Sequence, residues 1–552
     1  MSNIKGHSLV IRFLRENKIL AAGTLLALTF NNLLNVLLPL SIGMFYEIIF
    51  HTEGTKGRLL AWLPFHFTEA RPFLFFFGIL ILLKVVLTFL QEYWIDIAGE
   101  TFASSLRQKT FQRQLRLPMT RFIKKPLGKH LARYSGELLA ARQMLTRGIL
   151  IFVGDLVFIV VTFSALFMIQ PRLAAVVLCV FSSGILFILW LGNYLERLSR
   201  QKRGSRSSYL DFISSRLQAF YTIKSFNRET PEIQRFGAIN QELNEKSLRT
   251  FRFESFIQSL YPLIQYSALA SVLIAVANDS TLLPPADVFV FVLLLLYMRS
   301  VMRRLMQVNL IWWAGITSLE KWAKLLRKKV DEGKTDALSE KIKGAIQFKN
   351  VRFEFERNRP VLQSLSFKIA PASINWLRGS QGSGKGTVFK LIQKILTPQE
   401  GGILLDDYAY DETSAFEIRK NVTIVSPEAL LLGATVFEAI SYSAKPAKRP
   451  EAAAMLEQLH LHFAADAETM LDFPLKEHGQ NLSAGERIML QFARAMLTRK
   501  TVLLLDQPFG HLDATSREHI VHLLNHYKKK HTIIITSDSL PETLLVDQTI
   551  HL

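Results

Sequence analysis

An all-α domain of six membrane-spanning helices followed by an α/β domain built on a phosphate-binding loop is the fold this sequence predicts, on three observations. Six stretches are apolar for roughly 20 residues, the length an α-helix needs to cross a hydrocarbon core. Beyond residue 345 the pattern changes to period-two and short buried strands with helical segments between them. Among these stands "GSQGSGKGT", Gly379 to Thr387, glycines closing on a lysine at the spacing of a P-loop.

The apolar stretches fall at approximately 19–49, 72–97, 149–168, 172–192, 257–278 and 287–309. The third and fourth form one run broken only by "QPR", Gln170 to Arg172, which predicts a tight helical hairpin. The basic start (Lys5, Arg12, Arg15, Lys18) imitates a signal peptide. Its apolar stretch is too long and lacks a small-residue cleavage site, so it reads as a retained first span.

The formal charge of +20 suggests nucleic acid until it is divided by segment. Residues 346–552 hold 23 basic and 23 acidic side chains, so the whole excess lies in the first 345. It clusters between spans 2 and 3 (Arg107 to Arg133) and after span 4 (Arg197 to Arg206), whereas "NDSTLLPPAD" between spans 5 and 6 carries no basic residue. The positive-inside rule places both termini and the two long connections in the cytoplasm, and no nucleic-acid partner is expected. The single cysteine, Cys179, can form no intrachain disulfide and is expected to pack as a small apolar residue inside span 4.

The connections after spans 2 and 4 run for about 50 and 60 residues with helical periodicity, so the helices are expected to continue into the cytoplasm. "KKPLGK" (Lys124 to Lys129) and "NRETPE" (Asn227 to Glu232) supply breakers for their tips. Three parts follow: a transmembrane domain over 1–318 with two long intracellular helical extensions, a charged linker over 319–345, and an α/β domain over 346–552. In the last, "IQFKNVRFEFE" and "SLSFKIA" read as half-buried strands, and "VTIVS", "TVLLLD" and "TIIITS" as buried parallel ones.

The run Gly379, Ser380, Gln381, Gly382, Ser383, Gly384, Lys385, Gly386, Thr387 follows a strand and precedes the helical "VFKLIQKIL". That context suits phosphate: glycines let backbone N–H groups converge on it, the helix N-terminus adds partial positive charge, and Lys385 adds a full one.

With these residues the chain resembles a half-size ATP-binding cassette exporter of the six-span, swapped-helix kind. "NLSAGER" (Asn481 to Arg487) resembles that family's signature motif, and "LKEHGQ" the loop that contacts the intracellular helices. "FIKKPLGKHLARYSGELLAARQ" and "IKSFNRETPEIQRF" are similar to its two intracellular coupling segments. The resemblance implies an α/β P-loop nucleotide-binding domain that takes ATP and Mg²⁺. It implies that Phe355 stacks on adenine, that Asp506 holds Mg²⁺ through water, and that Asp513 lies in the loop coupling two sites. Leu482, Ser483, Ala484, Gly485 and Glu486 would be contributed to the nucleotide of a dimer partner.

Four positions depart from the family pattern. Gly386 replaces the hydroxyl residue that ligates Mg²⁺, with Thr387 one residue late. Pro427, in "VSPEA", stands where a glutamine is usual; the general-base position is Gln507; the switch position is Ser537. An amide is no general base, and together the losses leave no group to orient or deprotonate an attacking water. A weakened Mg²⁺ site and a hydrolysis-deficient phosphate loop are expected.

The resulting expectation is an ATP-binding subunit of an exporter, completing the hydrolytic site of a second, intact half-transporter with its signature motif. It would sit in membrane lipid as a multi-pass protein of the bacterial cytoplasmic (inner) membrane and move an unidentified substrate. An alternative is a non-transporting membrane ATP sensor or scaffold of the same fold. A hydrolysing homodimer is disfavoured because both of its sites would lack a base. No cysteine-protease domain precedes span 1, so coupled leader-peptide cleavage is not expected. Asn31, Asn35, Lys84 and Asp155 are costly in lipid and are expected to face the bundle interior, as a substrate path or as helix-to-helix contacts. His519, His522 and His526 share a helical face that reads as solvated rather than metal-binding.

Overall fold

The computed structural model describes residues 6–51, 67, 69–123, 127–279, 283–327, 342–356, 359–443, 446–461 and 466–552. The chain divides into two compact units, one drawn from 6–115 and 127–327, the other from 116–123 and 342–552.

Six helices of the first unit are long and apolar enough to cross a membrane: Lys18–Phe50, Ala70–Leu115, Gly136–Ile169, Pro171–Gln218, Glu229–Asn278 and Pro285–Arg327, spans 1 to 6. Spans 2, 4 and 5 have 46, 48 and 50 residues. At about 1.5 Å per residue each runs for about 70 Å, more than twice the roughly 30 Å of hydrocarbon, so the surplus forms the expected extensions. Span 3 ends at Ile169 and span 4 begins at Pro171, with Gln170 extended between them. Proline suits a first helical position because its missing N–H would have no partner there.

At the tip between spans 4 and 5 the chain turns through Phe226 to Arg228, with Asn227 left-handed at φ 49°. Pro231, expected to break the helix, instead sits in the first turn of span 5, where its ring costs nothing. Of "KKPLGK", residues 124–126 lie outside the described residues, and Gly128 and Lys129 belong to a short helix, Leu127–Leu131. Cys179 departs from expectation: it is exposed on the outer face of span 4 rather than packed. Span 6 continues to Arg327, burying Leu319 and Trp322 completely in the core of its own unit.

The second unit holds two sheets. An antiparallel one has the order β2-β1-β4-β5, with β1 Ile346–Glu356, β2 Arg359–Ile369, β4 Glu400–Leu405 and β5 Tyr408–Ala409. The five-stranded sheet has the order β6-β7-β8-β3-β9, formed by β3 Ile374–Arg378, β6 Val422–Val425, β7 Val502–Asp506, β8 Thr532–Thr536 and β9 Gln548–His551, all parallel where they pair. Burial on both faces explains why Val502 to Leu505 of β7 and Ile533 to Ile535 of β8 are all apolar. Leu503, Leu505, Ile533 and Ile535 face one core, with the helix Ala484–Leu497, while Val502, Leu504 and Ile534 face the other, with β1 and the helix Lys385–Ile392. Both sheet faces are covered, so neither can be polar.

The register of β1 against β4 breaks between Lys349 and Arg352, beside Gly401 at φ 80°. A Cβ on Gly401 would run into the carbonyl oxygens of Lys349 and Asn350, whereas one on Gly402 would meet open space. Gly401→Ala is therefore expected to cost about 1–3 kcal/mol through backbone strain, and Gly402→Ala within about 0.5 kcal/mol. Thermal unfolding of the full chain checks this; similar losses from both changes would refute it.

Candidate nucleotide site and a polar cavity among the spans

Four parallel strands end at one edge of the five-stranded sheet, the edge where ligands of open α/β sheets bind. Ser426 and Pro427 follow β6, Gln507 follows β7, Ser537 follows β8, and the phosphate loop follows β3. Three of the four departures from the family pattern, Pro427, Gln507 and Ser537, thus come from three separate strands to one place, beside the loop that carries the fourth, Gly386.

The phosphate loop is built by its glycines. Gly382 and Gly384 hold φ of 85° and 97°, a region that disfavours side chains. Ser383 donates its backbone N–H to the Ser380 carbonyl at 3.1 Å. The Lys385 ammonium donates to the carbonyls of Gly379 at 2.6 Å and Ser380 at 3.1 Å, folded back over the loop. The Ser383 hydroxyl is buried with no hydrogen-bond partner among the described residues. A cradle of backbone N–H groups, a lysine and an unsatisfied hydroxyl fits the phosphates of ATP. The fit to Mg²⁺ is poorer. Gly386 brings no oxygen, and Thr387 is turned inward and only 7 % exposed.

Asp506 ends β7 opposite Thr536, a register that lets its carboxylate accept from the Thr536 hydroxyl at 2.7 Å. Its other oxygen accepts from Ser426 at 3.2 Å, and the Ser426 N–H donates to the Gln491 side chain at 3.0 Å. Gln507 is held at φ 48° and donates its N–H to the Thr536 carbonyl at 2.8 Å. Its side chain lines a cavity of about 310 Å³ with Phe509, Arg517, Ser537 and Asp538. The Ser537 hydroxyl donates to Ser539 at 2.6 Å, and its carbonyl accepts from the Trp376 indole at 3.0 Å. No imidazole or glutamate lines that cavity among the described residues.

Ser483 caps the helix Ala484–Leu497 in a reciprocal box: its hydroxyl accepts from the Glu486 N–H at 3.2 Å and the Glu486 carboxylate accepts from the Ser483 N–H at 2.7 Å. Glu486 completes this box and places a negative charge at the positive end of the helix. Leu482 is buried beneath, Ala484 follows it, and Gly485 is pressed against the His511 carbonyl, 2.9 Å from where a Cβ would stand. Phe355 is 58 % exposed and edges onto Phe353 at 4.9 Å. Asp513 caps the helix Ala514–Tyr527, accepting from the Ser516 N–H at 2.9 Å. Hydrogen bonds from Ser516 hold its carboxyl below the usual carboxylate range.

Thr536, Ser426, Gln491 and Trp376 escaped the sequence reading. Thr536 sits one residue before a marked position, but only strand register reveals that it faces Asp506. Among the described residues no group of three or more His, Cys, Asp or Glu side chains could hold a metal, and His519 stacks on His460 at 4.1 Å.

The polar residues of the spans also converge. Asn31, Asn35, Lys84 and Asp155 line one cavity of about 280 Å³ together with Gln91 and Arg304. Asn31 donates to Gln91 at 2.6 Å, Lys84 donates to the Asn31 side-chain oxygen at 2.5 Å, and Arg304 grips Asp155 from its Nε at 2.9 Å and from its Nη2. Just before Asp155, span 3 loosens into a π-helical turn, Thr146–Ile151, braced by Trp312 donating to the Gly148 carbonyl at 2.7 Å. Such single π turns commonly mark functional sites.

Six spans joined to a phosphate-loop domain that carries a separate capped serine motif define a nucleotide-driven membrane transporter. The chain matches the ABC transporter transmembrane region over residues 22–302 and the ABC transporter domain over 362–510, and so belongs to the ABC transporter family. It is the ATP-binding subunit of an exporter and a multi-pass membrane protein. Relatives include the ATP-dependent lipid A-core flippases of Pseudoalteromonas translucida, 24 % identical over 84 % of this chain and 80 % of that one, and of Haemophilus ducreyi, 26 % identical over 85 % and 82 %. The structure of a bacterial Atm1-family ABC exporter with ATP bound shares the fold, with a TM-score of 0.77 over 98 % of this chain and 93 % of that one at 18 % identity.

Because three further positions are altered, Gln507→Glu by itself is expected to leave ATP hydrolysis by the purified chain at background in a phosphate-release assay. Brisk turnover on that single change would show that the remaining positions suffice. Asp513, with its lowered pKa, stabilises its helix above the carboxyl's unfolded pKa, and the contribution fades as pH falls through the lower folded value. Asp513→Ala is expected to melt below wild type at pH 7, with the gap closing on acidification; a gap independent of pH would contradict the cap.

Proposed function

We propose that this chain is the ATP-binding, non-hydrolysing half of a heterodimeric exporter. It holds ATP in its own phosphate loop, with Mg²⁺ weakly bound, and lends Ser483 and Gly485 to the nucleotide of an unlike half-transporter whose base and switch residues are intact. Asp506 is the one carboxylate left to hold Mg²⁺ through water, Phe355 supports adenine, and Asp513 belongs to the loop that couples the two sites.

The observation that carries this reading is the asymmetry between the two halves of one domain. Around the phosphate loop, Gly386, Pro427, Gln507 and Ser537 stand where the family pattern has the hydroxyl, the glutamine, the base and the switch histidine, and Ser537 is hydrogen-bonded to Ser539 and Trp376 instead. The signature side keeps Ser483, Gly485 and a complete capping box. Positioning and electrostatics supply nearly all of phosphoryl-transfer catalysis, so losing every water-positioning group at one site leaves that site a binder. A homodimer would hold two such sites. The related lipid A-core flippases support a lipid as cargo and the bacterial inner membrane as location.

The assembled complex discriminates. Ser483→Asn retains a capping side chain but removes the hydroxyl, and is expected to lower ATP turnover by about 10²-fold, the effect of removing one transition-state donor. Lys385→Ala is expected to lower it only a few-fold, since this site does no hydrolysis. Equal and near-total loss from both substitutions, measured as phosphate release from the co-purified pair, would overturn the division of labour.

A further inference from the structure

The cavity among the spans carries more positive charge than it neutralises. An open face of span 6 that carries Arg299, Arg303 and Arg304 adjoins this cavity and shares Tyr297, Ser300 and Arg304 with it. Four cations therefore line the cavity or the face beside it: Lys84 of span 2 and Arg304 of span 6 in the cavity, and Arg299 and Arg303 of span 6 next to it. Only Glu92 and Asp155 oppose them, and even with Glu254 of a neighbouring pocket counted the cations are in excess.

Of the four, Arg304 alone has a carboxylate partner, Asp155, whose side chain is 3 % exposed. Lys84 donates only to Asn31, and neither Arg299 nor Arg303 lies within ion-pair distance of an acid among the described residues. Lys84 and Arg299 each stand 14 residues from the first residue of their spans, Ala70 and Pro285. At about 1.5 Å per residue each lies about 21 Å along its span from that end, less than the roughly 30 Å thickness of a hydrocarbon layer. Charge at that depth is costly unless it is paired or faces a cavity that something occupies.

We propose that this cavity binds an anionic headgroup, a phosphate or carboxylate, and that Asp155 is its built-in stand-in, occupying Arg304 until the ligand arrives. Lys84, Arg299 and Arg303 supply the uncompensated charge, and Arg304 joins them when the ligand displaces Asp155. Asn31, Asn35, Thr88 and Gln91 offer neutral hydrogen-bonding groups for the rest of the head. Arginine suits this task because its fork binds phosphate and carboxylate oxygens two at a time. The inference rests on the exporter reading but not on which subunit hydrolyses ATP.

The test uses the full chain in a neutral detergent without nucleotide, so that its outcome is separate from any result on hydrolysis. Dodecyl phosphate, inorganic phosphate and dodecyltrimethylammonium are titrated by calorimetry. Dodecyl phosphate is expected to bind saturably, and Lys84→Gln and Arg303→Gln each to weaken it about tenfold, the value of one charged hydrogen bond. Asp155→Asn, by removing the competing carboxylate, is expected to tighten binding, while Arg206→Gln on the cytoplasmic extension leaves it unchanged. If inorganic phosphate competes as well as the alkyl phosphate, the anion site stands and its ligand comes from solution; if it does not, the ligand is lipid. Equal binding of the cationic amphiphile, or wild-type affinity in both the Lys84 and Arg303 variants, would overturn the proposal. Those two variants suffice should Asp155→Asn fail to fold. A lowered melting temperature with unchanged affinity would mark the residues as helix-to-helix contacts and refute it as well.

Discussion

The parallel pairing of β7 with β8 is the constraint on which the nucleotide site depends. Setting Asp506 opposite Thr536 joins their side chains, ties the Gln507 N–H to the Thr536 carbonyl, and brings the position after each strand to the same edge. β6 pairs on one side of β7 and β3 on the far side of β8, so Ser426 and the phosphate loop arrive there too. A one-residue slip would turn Leu504 and Ile534 out of one core and Leu503, Leu505, Ile533 and Ile535 out of the other, and burial on both faces forbids it.

Within that frame the polar groups at the sheet edge are bonded to the protein itself. Asp506 accepts from two hydroxyls, Ser537 is held by Ser539 and by the Trp376 indole, and the Gln507 backbone N–H is bonded to the Thr536 carbonyl. Hydrolysis needs groups that point outward, at a water and a metal. Here the hydroxyls that hold Asp506 serve the sheet edge. The signature serine likewise closes a capping box, which fixes the helix start and presents Gly485 beside the His511 carbonyl.

The membrane unit obeys a different economy. Its spans leave large apolar side chains on the outside, Phe75, Leu82, Val85 and Phe89 of span 2 among them, because lipid covers them. Polar side chains have no such cover, so they turn inward and meet. Asn31 reaches Gln91 and Lys84 across two spans, and Asp155 reaches Arg304 from span 3 to span 6. Just before Asp155, the π-helical turn of span 3 is braced by Trp312 of span 6.

The six spans, the strands and the phosphate loop were legible in the sequence because each rests on local regularities: apolar length, period-two alternation, glycine spacing before a helix. The four departures from the family pattern are a reading of the sequence, possible because the motif around each one survives. Cys179 was misjudged because apolar periodicity says that a residue lies in a span but not which face it takes. The partners of Asp506, the indole bond to Ser537, the approach of His511 to Gly485 and the meeting of Lys84 and Arg304 in one cavity came only from tertiary structure. Each links residues far apart in the chain, and such contacts are set by strand register and helix rotation, which depend on how whole elements pack and not on any short run of residues.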